Sequence, residues 1–115
     1  MIRLRGDMQK EVREKMRGGE GSVEIRHVFR TEELRGKARL VARLCLQKGC
    51  SIGFHRHENE EEIFYILSGR GIVNDNGRTA PVGPGDAVLT GGGDGHAIEN
   101  REEEPLEFMA VILPF

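Results

Sequence analysis

The 115 residues suffice for one domain, and 17 Lys+Arg against 19 Asp+Glu leave a formal net charge of −2. Nucleic-acid binding would call for a basic stripe, and none stands out after the first 17 residues. The longest apolar run, Phe108 to Leu113, is far too short to span a bilayer, and the start turns polar before a signal-peptide core could form, so the expected compartment is the cytoplasm.

Residues 7–17 read as a short charged helix. Met8, Val12 and Met16 recur at every fourth position, Asp7 suits an N-cap and Gly18-Gly19 suits a stop. The apolar stripe is thin, so the segment is expected to lie against the domain or a partner. Gly18-Gly19-Glu20-Gly21 is a loop, either a lid or a plain connection. Ser22 to Phe29 alternates, with Val23, Ile25 and His27 on one face, and predicts a strand; Thr31 to Leu34 predicts a turn. From residue 38 strand follows strand: 38–47, with Leu40, Ala42, Leu44 and Leu46 on one face, then 51–57, 62–67, 70–74, 79–82, 87–90, 97–100 and 106–113. Asp75-Asn76-Gly77 joins two of them as a hairpin, since a tight turn needs positive φ there. The sixteen glycines fall between apolar-patterned runs and mark tight turns. About eight or nine short strands at regular spacing predict an all-β sandwich or barrel. Cys45 and Cys50 are too few for a disulfide scaffold and read as reduced thiols of the wall.

Three histidines and a glutamate carry the chemistry. His55 and His57 are two apart, which on a strand puts both imidazoles on one face, about 7 Å apart along the chain. Glu62 starts the next strand, and its carboxylate reaches the same space if the two strands pair. His96 follows the loop Gly91 to Gly95, whose flexibility lets the imidazole turn inward. Three neutral nitrogens and one carboxylate suit manganese, iron, nickel, cobalt or zinc better than calcium or magnesium. Four ligands leave two octahedral positions for a small molecule or water.

The two segments resemble the two motifs of the cupin superfamily. The first matches at Gly49, His55, His57, Glu62 and Gly69, the second at Gly85, Gly93, His96 and Asn100. The second departs at Gly91, where the family usually has proline, and residues 70 to 84 match the shortest spacer of microbial members. The likeness is to small single-domain bacterial and archaeal cupins. It implies a double-stranded β-helix, or jelly-roll, barrel over residues 38–113, with residues 1–37 as a helix, loop and strand extension of the same structural domain. It also implies one divalent transition metal per chain, with manganese or iron favoured, held by His55, His57, Glu62 and His96, and a homodimer. A short chain buries a modest share of its surface, which points the same way.

Other residues are weighed against that site. Glu60 and Glu61 read as a solvated run, with Glu61 a register alternative to Glu62. Asn100 is expected to hold a turn, and His27 to be structural or on the surface. Arg43, with Arg39, Cys45 and Gln47 on its face, either meets an anionic ligand inside or, the favoured reading, points outward. The resemblance implies a metal-dependent enzyme on a small carboxylate, by oxalate decarboxylase-like or dioxygenase-like chemistry. A sugar-phosphate isomerase-like enzyme and a non-catalytic binding or sensor module are the alternatives. No catalytic residue is assigned; a decarboxylase needs an acid to donate a proton, and Glu107 serves only if its face points in.

Overall fold

Period-two alternation dominates the chain. The computed structural model describes residues 1–115. It contains ten strands: β1 (Gln9–Glu14), β2 (Ser22–His27), β3 (Leu40–Leu46), β4 (Ser51–Arg56), β5 (Glu60–Ser68), β6 (Gly71–Asp75), β7 (Arg78–Val82), β8 (Ala87–Gly91), β9 (Gly95–Glu99) and β10 (Leu106–Pro114). Six form one antiparallel sheet in the order β1-β2-β3-β10-β5-β8, and four form a second in the order β4-β9-β6-β7. The sheets face one another as the layers of a jelly-roll barrel. The remaining regular pieces are 3-10 turns at Arg5–Asp7, Met16–Gly18 and Thr31–Glu33. No helix is long and apolar enough to cross a membrane.

One face of each central strand fills the space between the layers. Leu44 and Leu46 of β3, Phe64 and Ile66 of β5, and Leu106 and Phe108 of β10 are all buried, and Ile52, Val73 and Ile98 meet them from the smaller sheet. Phe64 and Phe108 pack edge to face with ring centroids 4.9 Å apart. Burying such a side chain contributes roughly 2–3 kcal/mol. At the β6–β7 hairpin Asn76 and Gly77 take φ of 50° and 98°, as the tight turn requires.

The N-terminal helix expected over residues 7–17 is not formed. Gln9–Glu14 is instead an edge strand, paired antiparallel with β2 from Gln9 opposite His27 to Glu14 opposite Ser22. A spacing of four is close to the helical period and is also a multiple of two, so Met8, Val12 and Met16 fit either element. The strand prevails because β2 supplies its backbone partners, whereas a short isolated helix with one thin apolar stripe is marginal. Residues 1–37 thus add two strands to the larger sheet.

Arg43 points outward, where it forms an ion pair with Glu107 of β10. Glu107 therefore faces away from the barrel interior. Cys45 and Cys50 are both free. Burial, with the Glu107 and Glu24 carboxylates adding, pushes the Cys45 thiol up to about 11.

Candidate metal centre

A register shift in β4 aims the first two histidines. Strict alternation from buried Ile52 would turn His55 outward. The irregularity between Ile52 and His55 reverses the parity, so Phe54 faces solvent and His55 turns inward. His57 follows just beyond the strand end and is buried. His96 lies directly opposite His55 in the β4–β9 ladder. The pleat of β9, not a flexible loop, points its imidazole inward.

Glu62 reaches the site by another route than the expected one. Its strand does not pair with β4; β5 lies between β10 and β8 in the larger sheet. The carboxylate comes across the barrel from the opposite layer. Glu61 takes the alternate face, opposite Gly91 and Leu113, so it offers no alternative register.

The four side chains converge, with one ligand atom from each lying within 4.8 Å of all the others. The imidazole centroids form a near-equilateral triangle with sides of 4.9, 4.8 and 4.9 Å. Each ring is held from behind at Nδ1. His55 Nδ1–H donates to the Gly53 carbonyl (2.8 Å), and His57 Nδ1–H donates to Glu60 Oε2 (2.5 Å). His96 Nδ1 lies 3.0 Å from Thr90 Oγ1, and the ring stacks on Phe64 at 4.6 Å. Carbonyl and carboxylate oxygens only accept, so His55 and His57 keep their protons on Nδ1 and turn bare Nε2 atoms towards the centre. Burial pushes His55 below the ordinary imidazole range; His96, His57 and Arg17 push the same way, and the Gly53 carbonyl opposes them. A neutral imidazole is the ligating form.

The central distances test the donor set. His57 Nε2 lies 2.8 Å from Glu62 Oε1, His96 Nε2 lies 3.0 Å from the same oxygen, and the two Nε2 atoms are 3.1 Å apart. His57 Nε2 and the Glu62 oxygen both present lone pairs, which at 2.8 Å repel unless a cation or shared proton sits between them. With metal–ligand bonds of about 2.0–2.2 Å, octahedral edges are about 2.8–3.1 Å and tetrahedral edges about 3.3–3.6 Å. The three spacings are ones that donors to a single ion adopt at such bond lengths, so the residues fit a divalent transition ion.

A cavity of about 620 Å³ opens beside the cluster. His55, His57 and Glu62 line one part, with Leu44, Phe64 and Ile112 as apolar wall. Arg13 to Arg17, His27 and Arg39 line the rest. The loop Gly18 to Gly21, weighed as a lid or a plain connection, is outside this lining, which takes in the residues just before it. A Cβ on Gly53 would overlap the Arg17 carbonyl oxygen, and one on Gly19 the Ser51 carbonyl oxygen, so both glycines permit close docking of this turn on β4.

Several contributors lie outside the expected set. Glu60 is not a solvated neighbour: it binds His57 and accepts two hydrogen bonds from Arg39, each 2.9 Å, which with His57 hold its carboxyl down at about 2. Its position two residues before Glu62 on the same strand face is the signal that could have found it. Thr90 stands opposite Glu62 across β5 and β8, a pairing without a local sequence mark. His27 lines the cavity and lies 3.3 Å from Glu11. Asn100 holds the turn after β9, donating to the Leu46 and Glu104 carbonyls and accepting from Glu102 N–H. Gly91 ends β8 so close to β5 that a Cβ there would crowd the Glu60 carbonyl.

Residues 42–112 match the sequence model of the cupin domain. The chain is 49% identical over 98 residues to a Thermotoga maritima protein named oxalate-binding protein, covering 85% of this chain and 81% of that one. A Thermotoga maritima crystal structure described as a predicted oxalate decarboxylase is 43% identical and superposes with a TM-score of 0.95 over 100% of both chains. A putative sugar phosphate isomerase from Acidithiobacillus ferrooxidans, 24% identical with a TM-score of 0.73, covers 82% of this chain and 60% of its own and shares the fold.

Proposed function

The chain belongs to the cupin family, and on that premise we propose that it is a metal-dependent protein acting on a small dicarboxylate of the oxalate type. One observation carries the reading: the bare Nε2 of His57, the Nε2 of His96 and the Glu62 carboxylate crowd within 3.1 Å of one another, with the imidazoles braced from behind. His55, His57, Glu62 and His96 would hold one divalent transition ion, which the mixed nitrogen and oxygen donors suit, with manganese or iron favoured by the likeness to cupins. Bound there, the ion would polarise a carboxylate as a Lewis acid. The relatives named for oxalate support the ligand class.

The chain's own residues prepare the site. Gly53, Glu60 and Thr90 orient the imidazoles, and Phe64, Leu44 and Ile112 limit water beside them. For a decarboxylase, the cavity-wall carboxyl other than Glu62 is Glu14, which takes the candidate proton-donor role that outward-facing Glu107 cannot fill. The exposure of Glu14 favours a second reading, a binding module without turnover. In both readings the protein works in the cytoplasm, with free thiols, and as a homodimer, whose contact face would cover exposed Tyr65 and Leu89 on adjacent strands.

The test is metal content in protein purified without chelator or His-tag, followed by oxalate titration and product analysis. About one equivalent of manganese or iron per chain, lost in His57→Ala, together with oxalate binding, is the expected result. Formate or carbon dioxide released by the loaded protein selects the enzyme, and binding without products selects the module. Folded protein that refuses every transition ion sinks both.

A further inference from the structure

The cavity wall carries more positive charge than the metal cluster uses. Four cationic residues line it: Arg13, Lys15, Arg17 and Arg39. Arg13 is paired with Glu11 at 2.6 Å, and Arg39 is held by Glu60 at 2.9 Å. Lys15 and Arg17 have no carboxylate partner, although the wall also includes Glu14. Arg17 and His55 line the same cavity, and the Arg17 carbonyl lies over Gly53, two residues before His55.

The turn that presents these two cations is held in shape. Lys15 and Arg17 both lie in the left-handed region, with φ of 48° and 54°, a conformation that costs a non-glycine residue. Met16 between them packs against the core cluster and anchors the turn. Lys15 N–H donates to the Gly21 carbonyl at 2.8 Å, and the Lys15 and Met16 carbonyls accept from Gly18 and Gly19 at 3.0 Å each. Ser51 N–H binds the Glu20 carbonyl at 2.8 Å, and the Arg17 carbonyl sits over Gly53. Strained backbone kept in place by several contacts, with one residue partly buried and its neighbours exposed, is a preorganised mount for side chains.

We infer that Arg17, assisted by Lys15, binds a carboxylate of the small dicarboxylate whose other carboxylate is taken up at the His55–His57–Glu62–His96 cluster. This rests on the dicarboxylate reading above and assigns its specificity to a turn outside the matched residues 42–112. The planar guanidinium offers a carboxylate two parallel donors, and Lys15 adds a single point charge. Oxalate fills only a small part of a 620 Å³ cavity, so longer dicarboxylates have room to span the two anchor points.

The experiment uses the full chain loaded with manganese. Oxalate, malonate and acetate are titrated calorimetrically into wild type, Arg17→Gln, Arg17→Lys and Lys15→Gln, and manganese affinity is measured in each by chelator competition. The expected result is at least a tenfold weaker dicarboxylate affinity in Arg17→Gln, a partial recovery in Arg17→Lys, a smaller loss in Lys15→Gln, and unchanged manganese affinity. Acetate, with one carboxylate, should bind wild type and Arg17→Gln alike. Equal dicarboxylate affinity in wild type and Arg17→Gln overturns the inference and leaves the proposed function standing. Loss of manganese affinity or of thermal stability in Arg17→Gln makes Arg17 structural and also overturns it. Wild type that holds manganese yet binds neither dicarboxylate overturns the inference and the proposed function together.

Discussion

His55 and His96 stand directly opposite one another in the β4–β9 ladder, their ring centroids 4.8 Å apart. That placement is a matter of register. A slip of one residue would turn His96 to the other face of its sheet. The irregularity in β4 has already used one such reversal to bring His55 inward. The paired strands therefore set the site's geometry before any ligand arrives.

Thr90 braces His96 from behind, with its Oγ1 3.0 Å from Nδ1. Thr90→Val keeps the shape and removes the oxygen. Manganese affinity should fall about tenfold, as loss of an outer partner of a ligating histidine typically does. Competition against a chelator measures this, and the metal-free protein should melt within a few degrees of wild type. An unchanged affinity would remove Thr90 from the support of His96.

Gly53 admits the Arg17 carbonyl where a Cβ would overlap it. Gly53→Ala should loosen the turn from β4 and cost about 1–3 kcal/mol, the usual range for forcing atoms into a packed contact. Urea unfolding gives the cost. Limited trypsin digestion at Arg13, Lys15 and Arg17 should quicken in the variant, and equal digestion rates would contradict this account.

Asn100 is buried and makes three hydrogen bonds, of 2.9, 2.8 and 2.8 Å, to Leu46, Glu104 and Glu102. Asn100→Ala strands these backbone groups around a small void. The expected loss is about 2–4 kcal/mol, from several bonds of roughly 1 kcal/mol each and the desolvated carbonyls they leave. The urea midpoint checks it; a variant as stable as wild type would mean that solvent replaces the amide.

Acid should act through Glu33. Hydrogen bonds from Arg30 and then Arg3 lower its pKa from 4.5 to about 2. Between those values the unfolded chain binds more protons than the folded one, so stability falls as pH drops from 4.5 towards 2 and is insensitive to this group above that window. Metal-free Glu33→Gln should show a shallower fall there than wild type in urea midpoints measured at low salt. Identical slopes would show that the Arg30 and Arg3 contacts are screened away.

The barrel is legible where each strand buries one face. Leu40, Ala42, Leu44 and Leu46 announce β3 because burial repeats every second residue. The N-terminal segment hides its strand because a spacing of four is shared by two periods, and only the pairing with β2 decides between them. In the site, the spacing of His55, His57, Glu62 and His96 selects side chains that the fold brings together. The route of Glu62 across the barrel is not legible, because contact between layers leaves no local pattern. Glu60 is half-legible: alternation places it with Glu62, but its acidic neighbours make it look solvated. Arg39 and the Lys15–Arg17 turn reach the cavity through long-range packing, which spacing cannot express.

Three of the four donors come from the smaller sheet or its immediate end, and the fourth comes from the larger. The gap between the layers is therefore the bite of the centre. It is set by side chains such as Phe64, which stacks under His96 at 4.6 Å and touches Phe108 beyond it. Ions that differ in radius by a tenth of an ångström would ask the two layers to stand at different separations. For an ion held by these four side chains, discrimination among manganese, iron and zinc would then be partly a mechanical property of the hydrophobic interior, and drift in core residues far from any ligand would retune it.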